Sequence, residues 1–412
     1  MNRRALLKSL GLVGAATVTP PVFLSGGKAL ASTLSPTQNS DLRVGILVPG
    51  SKSRSYSSNF LNGFYFALDE QRQDGGKAAV LPVVHEIGTG YSSAAKGLQK
   101  LVDSDGVRVA IGLMNSRVSQ MLAPIVANAN IRFIEANLGE NFFHPNFASD
   151  QYYHSSLNLW QAQYTLGKWT AENLGKTAVC ATSFHDSAFD SFYAFLAGFA
   201  IAGGTVVRTL ISGDPGEMIS PVATAALAAQ ENAEILFANF SGSDASVFLN
   251  AFKNTSGSRM KKIVASPMMI QPRVLQHIGS NAEGLISAHS YVAQPQDAGA
   301  DSFARAYRAK YGPEPDDFAV LGYDTAMLCS NAMRPGNSFV RATINSPRGV
   351  ISMNGRTHAL EGQISLVEMR TSASGLAPHC LETIDLSREI TSSGFRLTEQ
   401  IRSGAISHYP IS

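Results

Sequence analysis

Short apolar runs alternate with amphipathic stretches through most of this 412-residue chain. "LRVGILVP" reads as a strand, and "SSNFLNGFYFALDEQ" then sets Phe60, Phe64 and Leu68 four residues apart, which makes one apolar face of a helix. The beat returns with "VRVAIGL" before "SQMLAPIVANAN", and "IRFIEA" follows as the next strand. "DQYYHSSLNLW" reads as an aromatic connector, after which the rhythm restarts with "TAVCATSF", a helix from about Phe189 to Ala202, "GTVVRTLI", another helix and "AEILFANF". "KKIVASPM" and "GLISAHSY" complete the second set. Two runs of strand and helix alternation predict two doubly wound α/β domains with largely parallel sheets.

The segments "DSFARAYRAKYG" and "DDFAVLGYDTAMLCSNAM" are helical again, which points to a return to the first domain after most of the second. "GRTHALEGQISLVEMR" alternates like a strand and reads as the last crossing. Two domains also fit the length, since a chain of this size exceeds what one hydrophobic core serves. The apolar fraction of 44% and charged fraction of 16% belong to an ordinary globular protein.

The first thirty-one residues stand apart from this rhythm. Arg3 and Arg4 precede a weakly hydrophobic stretch diluted by Gly11, Gly14, Ala15 and Ala16. With Leu6, Leu7 and Lys8 they resemble a twin-arginine signal, and Ala29, Leu30 and Ala31 form a small-x-small cleavage site. The resemblance implies export of a folded product through the twin-arginine translocase, with the signal at 1–31 and a linker at 32–40. Cleavage removes four positive charges and no negative ones, so the formal net charge of +2 falls to about −2. That balance offers no footprint for nucleic acid or an anionic membrane. Cys180, Cys329 and Cys380 lie far apart without the spacing of a zinc or redox pair; Cys180, inside an apolar run, reads as a small hydrophobe, and one disulfide among the three stays open.

Four blocks, "RVGILVPGSKSRSYSSNFLNGFYFALDEQ", "VRVAIGLMNSRVSQMLAPIVANANIRFIEA", "SFARAYRAKYGPEPDDFAVLGYDTAMLC" and "SPRGVISMNGRTHALEGQISLVEM", resemble in order and spacing the leucine/isoleucine/valine-binding family of periplasmic proteins. These are the extracytoplasmic receptors of ABC importers, with relatives that bind amides and urea. The resemblance implies a type I periplasmic-binding-protein fold: two Rossmann-like α/β domains joined by a hinge of three crossovers and closing over a ligand. It places domain 1 at 41–153 and 293–357, and domain 2 at 154–292 and 358–412. The implied partners are the importer's permease subunits and a small solute, with a periplasmic monomer and no cofactor or metal.

The same resemblance nominates the pocket. It sets Tyr56 over the ligand, although a polar loop such as "GSKSRSYSS" needs no ligand to exist. Asn115 and Ser116 align with a turn that grips a carboxylate or amide, while Ser116 also suits the N-cap of the next helix. Glu135, Asn137 and Gly139 replace a small-residue and hydroxyl pattern; Glu135 either meets an ammonium or amide donor or is solvated or ion-paired. Asp186, Phe189 and Ser241 are expected from the second domain. Met268 stands where branched-chain amino-acid binders carry a glutamate for the α-ammonium, so Glu135 or Asp186 has taken that role or the ligand has no ammonium. His358 matches a histidine of the amide- and urea-binding branch, and on its own it reads as a structural hydrogen-bonding residue.

The competing classes are an enzyme and a ligand sensor without a transporter. The chain lacks H-E-x-x-H, G-x-S-x-G, P-loop and G-x-G-x-x-G motifs, and the adjacent His185 and Asp186 make a poor start for a triad. The expectation is therefore a solute receptor rather than an enzyme, for an amino acid, amide or urea-like ligand.

Overall fold

The computed structural model describes residues 42–50, 54–73, 80–140, 150–213, 219–257, 261–292, 298–332, 338–372 and 375–386. The expected signal and linker lie outside the described residues. In chain order the first elements are β1 (Leu42–Pro49), α1 (Arg54–Gln73), β2 (Val80–Ile87), α2 (Tyr91–Asp103), β3 (Val109–Leu113), α3 (Ser116–Met121), α4 (Ala123–Ala129), β4 (Arg132–Asn137) and β5 (Tyr152–Ser156). A second group follows: α5 (Leu159–Asn173), β6 (Thr177–Ser183), α6 (Asp190–Ile201), β7 (Thr205–Ser212), α7 (Pro221–Gln230), β8 (Ile235–Asn239), α8 (Gly242–Lys253), β9 (Lys262–Ala265), α9 (Pro272–Ile278) and β10 (Leu285–His289). The remainder is α10 (Ala298–Tyr311), α11 (Asp317–Ala332), β11 (Thr343–Ser346), β12 (Gly349–Met353), β13 (Leu360–Glu361), β14 (Gln363–Ser372) and β15 (Gly375–Asp385).

The strands form a five-stranded sheet ordered β2-β1-β3-β4-β5, a seven-stranded sheet ordered β15-β14-β10-β9-β8-β6-β7, and a three-stranded sheet β11-β12-β13. All pairs in the first sheet are parallel, and so are those from β7 to β10 in the second. Burial on both faces explains why Val44 to Val48 is apolar without alternation. Val44 and Ile46 join Phe60, Phe64 and Leu68 of α1 on one face, while Leu47, Ala110 and Phe133 meet Leu98 and Val126 on the other. The second sheet repeats the layering, with Phe248 and Phe252 of α8 on one face and Phe195 and Phe199 of α6 on the other. Phe195 stacks on Phe237 with ring centroids 3.6 Å apart.

Two elements differ from the sequence expectation. The aromatic connector contains β5, whose Tyr152 to Ser156 pair with Phe133 to Asn137 of β4, so the segment extends the first sheet before the chain leaves it. β14 and β15 form a long antiparallel hairpin that caps the second sheet, rather than a single final strand. The chain passes from the first sheet to the second after β5, leaves it after β10, and returns to it at β14. The three cysteines are unpaired; Cys180 and Cys329 are buried, and burial pushes the Cys329 thiol up to about 12.

Candidate functional site

In open α/β sheets, ligands bind outside the carboxyl ends of the parallel strands. At that edge of the first sheet, the ends of β3 and β4 bring Asn115, Ser116, Glu135, Asn137 and Gly139 together. Asn115, rather than Ser116, is the N-cap of α3: its side-chain oxygen accepts from Val118 N at 2.9 Å. Ser116 is the first helical residue, which frees its hydroxyl to donate to Glu135 Oε1 at 2.5 Å. Asn137 Nδ2 donates to the same oxygen at 2.5 Å and to Ser116 Oγ at 3.1 Å.

Glu135 is 2% exposed, so it is an internal group and not a solvated carboxylate. Burial alone pushes its pKa up, but His154, whose Nδ1 lies 3.6 Å from Oε2, and the Ser116 hydroxyl hold it below the ordinary range. Gly139 has φ +109°, and its carbonyl accepts from Trp160 N at 2.9 Å while Leu138 O accepts from Leu159 N at 2.9 Å. The loop after β4 thereby caps the first turn of α5, where the chain has just left the first sheet.

At the edge of the second sheet, Asp186 plays the corresponding part. Its Oδ2 accepts from Ser183 Oγ at 2.6 Å and Ser241 N at 2.9 Å, and its Oδ1 accepts from Ser241 Oγ at 2.8 Å. Asn239 Nδ2 donates to Asp186 O at 3.1 Å, so the ends of β6 and β8 are tied together. Burial prevails over these bonds and raises the Asp186 pKa. Phe189 is the N-cap residue of α6 and meets the exposed His185 edge to face at 5.5 Å. Among the described residues no hydrogen bond joins the Ser116–Glu135–Asn137 group to the Asp186–Ser241 group.

The two carboxyl edges do touch elsewhere. Tyr56 lies in the first turn of α1, half-buried against Phe318 of α11 with ring centroids 4.6 Å apart. α1 and α11 run parallel, as the pairs Tyr56–Phe318, Tyr323–Glu70 and Gln71–Met327 show, so both begin at the carboxyl edge of the first sheet. Met268, in the short turn Pro267–Ile270 after β9, packs against this same cluster. Three residues on, Gln271 Nε2 donates to Asp317 Oδ2 at 2.6 Å.

His358 is built into the frame: it has φ +53°, stacks on Tyr153 at 5.4 Å and holds Tyr152 O at 3.1 Å from Nδ1. Sequence reasoning missed His154, Gln271, Asp317 and Glu140. Glu140 follows Gly139 and accepts from Ser116 N at 2.8 Å through Oε2; its one sequence signal is the Asn-x-Gly turn before it. No group of three His, Cys, Asp or Glu among the described residues is arranged to hold a metal, and none of their helices is long and apolar enough to cross a membrane.

Comparison with known proteins bears on this arrangement. A search of curated proteins finds no match. Among solved structures, an ABC transporter substrate-binding protein from Sphaerobacter thermophilus aligns with a TM-score of 0.74 and 19% identity, covering 84% of this chain and 98% of that one. A solute binding protein of an ABC transporter from Rhodopseudomonas palustris, in complex with 3,4-dihydroxy benzoic acid, gives 0.70 and 20%, covering 84% and 97%. The branched-chain amino acid transporter substrate binding protein LivJ from Streptococcus pneumoniae, in complex with isoleucine, gives 0.65 and 18%, covering 82% and 99%. At these identities the likeness is one of fold, and it is the type I periplasmic-binding-protein fold. The family model described as periplasmic binding protein matches residues 41–373, and with a parallel and a largely parallel sheet meeting at their carboxyl edges over that span, the chain belongs to the periplasmic binding protein family.

Proposed function

We propose that the chain is an extracytoplasmic solute receptor that binds a small polar solute, an amino acid, amide or urea-like molecule, between its two sheets and delivers it to the permease subunits of an ABC importer. The observation that carries this reading is the contact of the two carboxyl edges, where Met268 of one packs on the cluster that holds Tyr56 and Phe318 of the other, and Gln271 bonds to Asp317. Two lobes joined by passages of the chain and touching at their strand ends form a cleft that a ligand can close. In this reading 41–153 with 293–357 and 154–292 with 358–412 are the moving domains. Asn115, Ser116, Asn137, Tyr56, Phe189, Ser241 and Met268 border the ligand, whereas Glu135, Gly139 and Asp186 shape the rims from within.

Both acids nominated for an ammonium already have partners within the fold, Asp186 through both oxygens and Glu135 through Oε1 with His154 3.6 Å from its Oε2, which supports a ligand without that group. Export by the twin-arginine translocase, cleavage near Ala31 and a periplasmic monomer complete the proposal.

The test is a thermal-shift screen of the purified protein, unfolded and refolded to strip carried-over solute, against branched-chain and polar amino acids, short amides, urea and polyamines. A ligand at a hundred times its dissociation constant adds about 2.7 kcal/mol to the native state, which raises the melting temperature by a few degrees. A shift with one class and not the others is the expected result. No shift with any compound, together with no solute in native mass spectra of unstripped protein, would sink the receptor reading.

A further inference from the structure

Two of the passages between the sheets run side by side: the one after β5, through Asn158 into α5, and the one before β14, through Leu360. His154 N donates to His358 O at 2.7 Å, and His154 and Ala359 form an isolated parallel bridge. Further along, Asn158 Nδ2 donates to Leu360 O at 3.1 Å. Asn158 heads α5 in an unusual way. An N-cap residue commonly has extended backbone and turns its side chain to the N–H groups of its own helix. Asn158 instead has φ +57° and ψ +35° and makes no side-chain cap bond. Leu138 O and Gly139 O, from the loop after β4, accept from Leu159 N and Trp160 N in its place, which leaves the Asn158 amide for other partners.

One of those partners is Arg348. Its Nη1 donates to Asn158 Oδ1 at 3.3 Å, its Nη2 to Ser156 O at 2.8 Å, and its Nε to Asp324 Oδ2 of α11 at 2.8 Å. Both charged side chains are fully buried. A single guanidinium thus ties a helix packed on the first sheet to the outgoing passage and, through Asn158, to the returning one. Stability alone is a weak reason for such a pair, because apolar side chains of similar size in its place are often neutral or stabilising. Its best-attested use is to fix one register or packing against alternatives. The guanidinium fork is planar and rigid, so it meets Asn158 and Ser156 together at one setting of α5 against the first sheet.

We propose that Arg348 is a positioning residue of the hinge: with Asp324 and Asn158 it holds two of the passages at one setting and thereby defines the angle at which the two sheets face each other. The inference rests on the receptor reading above and deepens it, by naming a side chain outside the cleft that governs how wide the cleft stands.

Distances between spin labels on the two sides of the cleft test it. Met121→Cys in α3 and Val247→Cys in α8 are exposed attachment points, Cys380→Ser removes the half-buried native thiol, and Cys180 and Cys329 are buried. Labelled protein with the native hinge is expected to give one narrow distance distribution. Arg348→Met combined with Asp324→Leu removes the fork and both charges together, and Asn158→Gly keeps the left-handed turn and the ion pair but cuts the tie to Leu360. Each is expected to widen the distribution about twofold or to add a second maximum. Melting curves show that the variants are folded. A residue that only adds stability would shift the melting temperature and leave the width alone. If the folded double variant keeps the native width, or if the native hinge is as broad as the variants, Arg348 does not set the angle and the inference is overturned; should the double variant fail to fold, Asn158→Gly decides in the same way. The distances are read without any solute, so that outcome leaves the receptor reading standing, and the thermal-shift screen with native mass spectra decides the latter separately.

Discussion

Gly139 is held by two constraints at once. Its φ of +109° belongs to a region that side chains rarely adopt, and a Cβ there would stand 2.4 Å from Leu159 N and 2.6 Å from Asn158 N. The close approach is what lets Leu138 O and Gly139 O cap the first turn of α5. Gly139→Ala therefore combines backbone strain with two displaced hydrogen bonds, and is expected to cost about 3 kcal/mol or more. A guanidinium titration of wild type and variant measures this, and a loss below about 1 kcal/mol would show that the loop moves aside freely. The sequence marks this stretch as a strand end where a hydroxyl pattern is replaced. It does not reveal that Glu135 faces inward, because inward and outward positions on a doubly covered strand look alike, nor that an Asn-x-Gly turn sends Glu140 back to Ser116.

Among the elements, the join between β5 and α5 depends on a buried ion pair. Arg348 and Asp324 are both 0% exposed at the side chain and meet at 2.8 Å. Arg348 also donates to Ser156 O at 2.8 Å and to Asn158 Oδ1 at 3.3 Å, and Asn158 Nδ2 donates to Leu360 O at 3.1 Å. The turn between β11 and β12 thus clamps the point where the chain leaves the first sheet. Arg348→Met strands a buried carboxylate and is expected to cost about 3 to 5 kcal/mol, whereas adding Asp324→Leu recovers a large part of the loss. Denaturation midpoints of the two single variants and the double variant decide this; additive losses would show that the pair acts through separate contacts. α1 was legible because Phe60, Phe64 and Leu68 recur at helical spacing, and all three are at most 1% exposed. α6 was legible to within a residue at each end. β5 was not, since "YYHSS" carries polar residues that are satisfied by neighbours such as Thr325, whose hydroxyl donates to Ser155 Oγ at 2.7 Å. β14 was legible in the alternation of "QISLVEMR", but its partner β15 was not, because that edge strand is only partly buried and carries no periodic apolar signal.

Across the whole molecule, the order of strands and helices could be read from apolar rhythm, but the contact between sheet edges could not, because it joins residues remote in sequence. That contact has a pH signature. Burial pushes Asp317 up to about 7, with Gln271 and Arg348 pulling it the other way without prevailing, and pushes the adjacent Asp316 up to about 6. His289, whose Nδ1 lies 3.8 Å from Asp317 Oδ1, is pushed down to about 4 by burial. The folded pKa of Asp317 exceeds its unfolded value near 4, so the native state keeps a proton that the unfolded chain has released. Its contribution is fully present below about pH 4 and is lost as pH rises through about 7. His289 runs the other way: its contribution is present above about pH 6.5 and is lost as pH falls through about 4. Asp317→Asn removes the first dependence, keeps an acceptor for Gln271 and leaves the second in place. Relative to wild type, the variant should therefore gain roughly 2 to 4 kcal/mol on going from pH 5 to pH 8. Melting temperatures of the two proteins measured in parallel across that range will show the gap opening toward alkaline pH. A gap that stays flat would mean that Asp317 is already ionised at pH 5, and that the sheets meet over a charged carboxylate rather than a protonated one.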